Sequence, residues 1–302
     1  RLKLAQKRND DFKVIKELFI DVTCYQKETR SILNVLKKYP TLSLNEPNAN
    51  GKLIFEEIIH SNYSKDIPFA IDMGVDLLKT DAKGAPPVIW ASALNQSTFF
   101  EVINKRGLFH KILPFIDRGF INALIEMKKE NPAIYLIQNG FCLNEKDKYG
   151  RTPLMTAIEF QRKEVFDVLL QKKLDFELQD EKGQTALFYA LPTFEDKRDK
   201  YFIQELLKHQ ININHQDKNG NTALMRAIET KQISTAFYLI EKGADVLIKN
   251  KKGQDAYHFA MVIGHKNMAD KIMTKVKERL VRRQKLNQMF GNKKHFVPQN
   301  QR

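Results

Sequence analysis

The 302-residue chain has only two cysteines, Cys24 and Cys142, and a single tryptophan, Trp90. Two cysteines 118 positions apart cannot form a disulfide framework, and without companion ligands they make no zinc site. No apolar run approaches the roughly 18 residues that a membrane-spanning helix needs. The histidines, His60, His110, His209, His215, His258, His265 and His295, are scattered and form no cluster at metal-ligand spacing. A phosphate-cradling glycine loop, a nucleophile elbow and a dinucleotide fingerprint are all missing. Acidic residues are many, but solvated carboxylates on helices need no catalytic reading. The expectation is therefore a chain without catalysis, cofactor, metal or small-molecule substrate.

Glycine is sparse, at 13 residues, but it is regular. Gly51, Gly84, Gly150, Gly183, Gly220 and Gly253 lie 33, 66, 33, 37 and 33 residues apart. A second series, Gly74, Gly107, Gly140 and Gly243, follows 23 residues after the first-series position of each repeat, with Asp117 holding the first-series place before Gly140. The four extra residues after Gly183 fall within 191–201, between two apolar segments, where they lengthen a surface loop. A fixed period of this length marks a quasi-one-dimensional chain in which each unit buries its apolar face on its neighbours.

The best-patterned unit reads Tyr149-Gly-Arg-Thr-Pro-Leu-Met-Thr-Ala-Ile-Glu-Phe, then Glu164-Val-Phe-Asp-Val-Leu-Leu-Gln-Lys-Lys-Leu-Asp-Phe. It resembles an ankyrin repeat, as do Gly220-Asn-Thr-Ala-Leu-Met-Arg-Ala-Ile, Glu241-Lys-Gly-Ala-Asp-Val and Ala260-Met-Val-Ile-Gly-His265. The residues support the pattern on physical grounds. Thr152, Thr185 and Thr222 are expected to cap the first helix of their units, with Pro153 in its first turn. Ala91, Ala157, Ala190, Ala227 and Ala260 recur seven residues after the turn glycine, where a small side chain lets helices approach. Val165, Val168 and Leu169, like Ile233, Ala236 and Ile240, have the spacing of a buried stripe on the second helix. Trp90 falls at a packing position beside Ala91.

The expected fold is all-α: an ankyrin-type solenoid of about seven helix-turn-helix units with β-turn fingers. A divergent helical N-terminal cap is expected over 1–49, the repeats over 50–270, and a basic helix with an extended tail over 271–302. One continuous stack is expected. The chain opens on Arg1, so an upstream segment is expected to have been trimmed, and with it any targeting signal. The expected location is intracellular and cytoplasmic, with organellar or secreted-effector targeting left open.

The formal net charge is +14, and most of it is at one end. From Lys271 to Arg302 ten Lys or Arg stand against Glu278 alone. Ile272, Val276 and Leu280 recur at i, i+4 and i+8, so the last repeat helix is expected to run on as a basic amphipathic helix ending near Gly291. Its Lys275, Lys277, Arg279, Arg282, Arg283 and Lys285 suit an acidic protein, RNA phosphates or an anionic membrane; equally, the helix caps the last repeat and its charges are solvated.

In ankyrin proteins the turn tips and first helices form the usual partner surface. The resemblance therefore implies protein-binding roles for Tyr149 and Arg151, Lys182 and Gln184, Asn219 and Asn221, and Lys252 and Gln254, which flank the turn glycines. Glu159, Phe160, Glu229 and Thr230, near the ends of first helices, join them. Tyr149, Arg151 and Phe160 are the expected anchors, because aromatics and Arg dominate interface energetics. His258 and His265 fall at family positions with local structural roles. The expected function is a non-catalytic protein-interaction module, an adaptor or stable subunit of a larger assembly. The alternatives are a secreted effector of an intracellular bacterium and an RNA-associated subunit.

Overall fold

The computed structural model describes residues 45, 53–60, 67–81, 83–112, 116, 119–191 and 200–291, without the side chains of 54, 57, 60, 279, 280 and 282–291. The expected N-terminal cap, apart from Asn45, lies outside these residues, as do Gly51, Asp117, the insertion residues 192–199 and the tail 292–302.

Regular structure is helical: α1 (Ile54–His60), α2 (Ile67–Asp72), α3 (Pro87–Ala93), α4 (Ser97–Lys105), α5 (Phe109–Ile112), α6 (Phe120–Glu126), α7 (Glu130–Gln138), α8 (Pro153–Glu159), α9 (Lys163–Leu170), α10 (Ala186–Tyr189), α11 (Tyr201–Leu206), α12 (Ala223–Glu229), α13 (Ile233–Glu241), α14 (Ala256–Val262) and α15 (Lys266–Gly291). The described residues contain no β-strand, only an isolated antiparallel bridge of Gln216 with Thr222. The described residues form the all-α fold expected of the repeat.

Local chemistry sets the helix boundaries. Thr152 Oγ1 accepts from the Met155 N–H at 3.4 Å, and Thr222 Oγ1 from the Met225 N–H at 3.3 Å, each capping a first helix. Thr185 departs from the expectation and makes no side-chain cap. The Phe188 N–H that its hydroxyl would reach donates instead to the Thr185 carbonyl at 3.0 Å, a tighter turn that opens the short α10. In the last repeat Asp255 does the capping, its Oδ1 accepting from the His258 N–H at 3.0 Å.

The turn from first to second helix requires a left-handed residue, supplied by Asn95, Lys128, Gln161 and Lys231 at φ of 55° to 59° and by Gly264 at 71°. The alanine column, Ala91, Ala157, Ala190, Ala227 and Ala260, is buried throughout, and so is Trp90. The second-helix stripe is wider than the spacing suggested. Val165, Phe166 and Leu169, and Ala236, Leu239 and Ile240, are buried, whereas Val168 and Ile233 are half-buried at its edge.

The chain forms two compact units. The first takes residues 1–148 and 162–174, with α1 packed on α2 and α3, α2 on α4, α4 on α3 and α7, and α7 on α6 and α9. An aromatic row runs through it, Phe55 to Phe99 to Phe100 to Tyr135, with ring centroids 6.2, 5.4 and 6.4 Å apart. The second takes residues 149–161 and 175–302, with α8 on α10, α10 on α12, α12 on α13 and α14, and α14 on α15. The boundary between the two units falls within the repeat at 149–174.

Helix α15 is continuous across the boundary at 270–271 drawn from the sequence. Met268, Ala269 and Ile272 are buried, Val276 is half-buried, and the helix is described as far as Gly291.

Candidate partner-binding surface

The fingers at Gly183, Gly220 and Gly253 are each tied by a carboxylate or amide three residues before the glycine. Asp180 Oδ1 accepts from the N–H groups of Lys182 and Gln184, both at 2.8 Å. Asp217 does the same for Asn219 and Asn221 at 2.8 and 2.9 Å, and Asn250 for Lys252 and Gln254 at 3.0 and 2.9 Å. These are Asx turns, in which one short side chain satisfies two loop donors. Successive fingers are joined by backbone bonds: the Glu181 N–H donates to the Tyr149 carbonyl at 3.2 Å, Lys218 to Lys182 at 2.9 Å, and Lys251 to Asn219 at 3.0 Å.

This ladder sorts the residues that flank the glycines. The preceding ones, Tyr149, Lys182, Asn219 and Lys252, are exposed. The following ones turn back toward the fold: Arg151 is buried, and Gln184, Asn221 and Gln254 are half-buried. Asn221 Oδ1 accepts from Asn250 Nδ2 at 2.8 Å, which ties two fingers together, and Gln254 Oε1 accepts from the same amide at 3.1 Å. Of the eight residues singled out by the turn pattern, four therefore present themselves to solvent as a ridge.

Arg151 stands apart from the other expected anchors. It is 8% exposed, its guanidinium lies 4.9 Å from the Tyr149 ring centroid and 5.9 Å from that of Phe160, and its Nη1 donates to Glu159 Oε2 at 2.6 Å. The cation is held inside the molecule and organises the two aromatics, Tyr149 exposed and Phe160 half-buried. Nearby, the Tyr189 hydroxyl donates to Asp180 Oδ2 at 2.9 Å. Burial, followed by that carboxylate, pushes the Tyr189 hydroxyl well above the usual tyrosine range. In α12 Glu229 pairs with Arg226 at 2.8 Å, and Thr230 Oγ1 donates to the Arg226 carbonyl at 2.9 Å.

On α15, Lys275 pairs with Glu278 at 2.9 Å and Lys277 is exposed. Arg279, Arg282, Arg283 and Lys285 follow on the same helix, with side chains outside the described residues. His265 Nδ1 accepts from the Met268 N–H at 3.1 Å and His258 Nε2 sits 2.8 Å from Gln254 Nε2, both local structural contacts. Among the described residues no group of three or more His, Cys, Asp or Glu could hold a metal ion, and no helix is long and apolar enough to cross a membrane.

The finger-tying residues were missed in the sequence, although Asp81, Asp180, Asp217 and Asn250 all stand three before a turn glycine. Asp81 confirms the rule in the first unit, accepting from the Lys83 and Ala85 N–H groups at 2.8 Å and from Trp90 Nε1 at 3.2 Å.

Helix pairs linked by stacked, glycine-turned fingers define a helical repeat protein that displays an extended surface. The profile for ankyrin repeats in three copies matches residues 119–180 and 173–250. Human Rabankyrin-5 is 31% identical over an alignment of 172 residues that takes in 49% of this chain and 14% of the relative. The matched part of the chain thus spans a small fraction of that protein's length. Ankyrin repeats are protein-binding units, and this chain is a protein-interaction module.

Proposed function

We propose that the chain is a non-catalytic intracellular adaptor, or a stable subunit of a larger assembly, with two binding surfaces. Tyr149, Lys182, Asn219 and Lys252 grip one protein as an exposed ridge, with Glu159, Phe160, Glu229 and Thr230 beside them. Basic α15 meets a second, acidic surface. The observation that carries this reading is the sorting at the turn glycines. The fingers spend their backbone groups and the following side chains on one another, and leave a row of unlike side chains, one aromatic, two cationic and one amide, facing solvent. Such a row offers anchors with shape and charge at no cost to the stack.

The test is crosslinking and mass spectrometry on the intact chain in its source cells. One variant replaces Tyr149, Lys182, Asn219 and Lys252 with Ala, and another replaces Arg279, Arg282, Arg283 and Lys285 with Glu. The expected result is that each variant loses a different partner. Identical recovery from both would reject the two-surface reading. A loss in the tail variant that RNase reproduces would make the second surface a ribonucleoprotein contact.

A further inference from the structure

The last described repeat leaves exposed the first-helix positions that are buried in the other repeats of the second unit. Leu154, Leu187 and Leu224, four residues after their turn glycines, are no more than 3% exposed, and Ile158, Leu191 and Ile228, eight residues after, no more than 4%. The counterparts in α14 are Tyr257 at 37% and Met261 at 55%. On the second helix, Ile240 is 5% exposed and its counterpart Met273 is 39%. Among the described residues α10 packs between α8 and α12, and α12 between α10 and α14, whereas α14 packs on α12, with α15 completing its pair. Ala256 and Ala260 are accordingly buried, and the positions one residue on are not.

A repeat whose outer face only met water would carry polar residues at these positions. Here they remain large and apolar. Val262, at 71% exposed, stands where the inner repeats carry Glu159 and Glu229, an apolar side chain in place of an acid. Exposed large apolar side chains beside charge mark a contact site, and methionine suits it to a partner of variable shape.

Charge decides the occupant. Between Lys266 and Lys285 α15 carries eight Lys or Arg against Asp270 and Glu278. Lys266, Met273, Lys277 and Val281 recur along one stripe of α15 with Asp270, and all are exposed. A second copy of this face would bring two such helices together, and the tail 292–302 adds Lys293, Lys294 and Arg302 with no acid. Both occupants are opposed by like charge. In the inner repeats the partner of this face is a helix pair. We infer that the terminal face formed by Tyr257, Met261, Val262 and Met273 docks an amphipathic helix of a partner protein, with acidic residues flanking its apolar stripe. The inference rests on the reading of α15 as an acid-seeking surface and specifies where and in what form the acid arrives.

The probes are two designed 18-residue amphipathic peptides with the same leucine stripe, one with a glutamate polar face and one with a lysine face, titrated calorimetrically into the full chain. The glutamate peptide should bind at least about tenfold more tightly than the lysine peptide. The double variant Tyr257→Gln, Met261→Gln, which is charge-neutral and confined to exposed positions, should weaken it by about tenfold or more with an unchanged melting curve. The alanine ridge variant should bind it undiminished, which separates this proposal from the finger surface. Equal binding of both peptides, no binding of either, or retention by the double variant overturns the inference. Self-association in sedimentation, or cosedimentation with phosphatidylserine vesicles, that the double variant abolishes would also overturn it, by assigning the face to a second copy or to a membrane.

Discussion

Arg151 and Glu159, eight residues apart at the two ends of α8, are joined by a 2.6 Å ion pair that the rings of Tyr149 and Phe160 flank. The Arg151 side chain is 10% exposed and that of Glu159 35%, so the pair is neither a surface ornament nor a fully desolvated bridge. It fixes how Tyr149 enters the finger and how Phe160 leaves the helix.

Replacing Arg151 with Ala should therefore lower stability by about 1–2 kcal/mol, since the stacking is lost and Glu159 is left to whatever water reaches it. Chemical denaturation of Arg151→Ala, Glu159→Ala and the double variant gives the coupling, expected at about 1 kcal/mol. A coupling of zero would mean that the pair holds nothing in place.

Gly220→Ala should destabilise the second unit by about 2–4 kcal/mol. Its φ is 79°, and an added Cβ would lie 2.8 Å from the Lys251 nitrogen that bonds to the Asn219 carbonyl. The left-handed backbone and the backbone clash combine, with no flexible side chain to yield. Thermal melting checks it. Gly253→Ala is the control, because its Cβ meets nothing within 4 Å and only the strain at φ 75° remains.

Lys231→Gly should act in the opposite direction. Lys231 holds φ at 57° in the turn between α12 and α13, the place that Gly264 fills in the last repeat. Relief of that strain outweighs the added freedom of the unfolded chain by about 0.5 kcal/mol, read as a small rise in the denaturation midpoint.

Cys142 should react slowly at neutral pH. Burial, reinforced by Glu145, raises its thiol to about 11. Alkylation at this residue, followed by peptide mapping so that Cys24 is scored separately, should then quicken about tenfold per pH unit between 7 and 10 as the thiolate fraction grows. A rate that levels off near pH 8.5 would show that neither burial nor the carboxylate perturbs the thiol.

The glycine period, the alanine column and the threonine caps could be read before any coordinates, because each is set by a local rule: a positive φ, a close helix approach, an orphan N–H. Where local rules compete, the sequence was insufficient. Thr185 has the right residue type for a cap and does not cap, because a tighter turn takes its donor. The stripe on the second helix is wider than its spacing, since Phe166 and Leu239 are buried along with it.

The ridge was legible as positions but not as directions. The pattern treats the two residues beside each turn glycine alike. In the folded chain the first spends its carbonyl on the next finger and points outward, while the second packs or bonds inward, which is how Arg151 comes to be a buried clamp. Tyr257 and Met261 show the same limit. Their counterparts four and eight residues after the other turn glycines of the second unit are core. Burial belongs to the neighbour as much as to the residue, and only the tertiary structure tells that in the last described repeat these two positions stand uncovered.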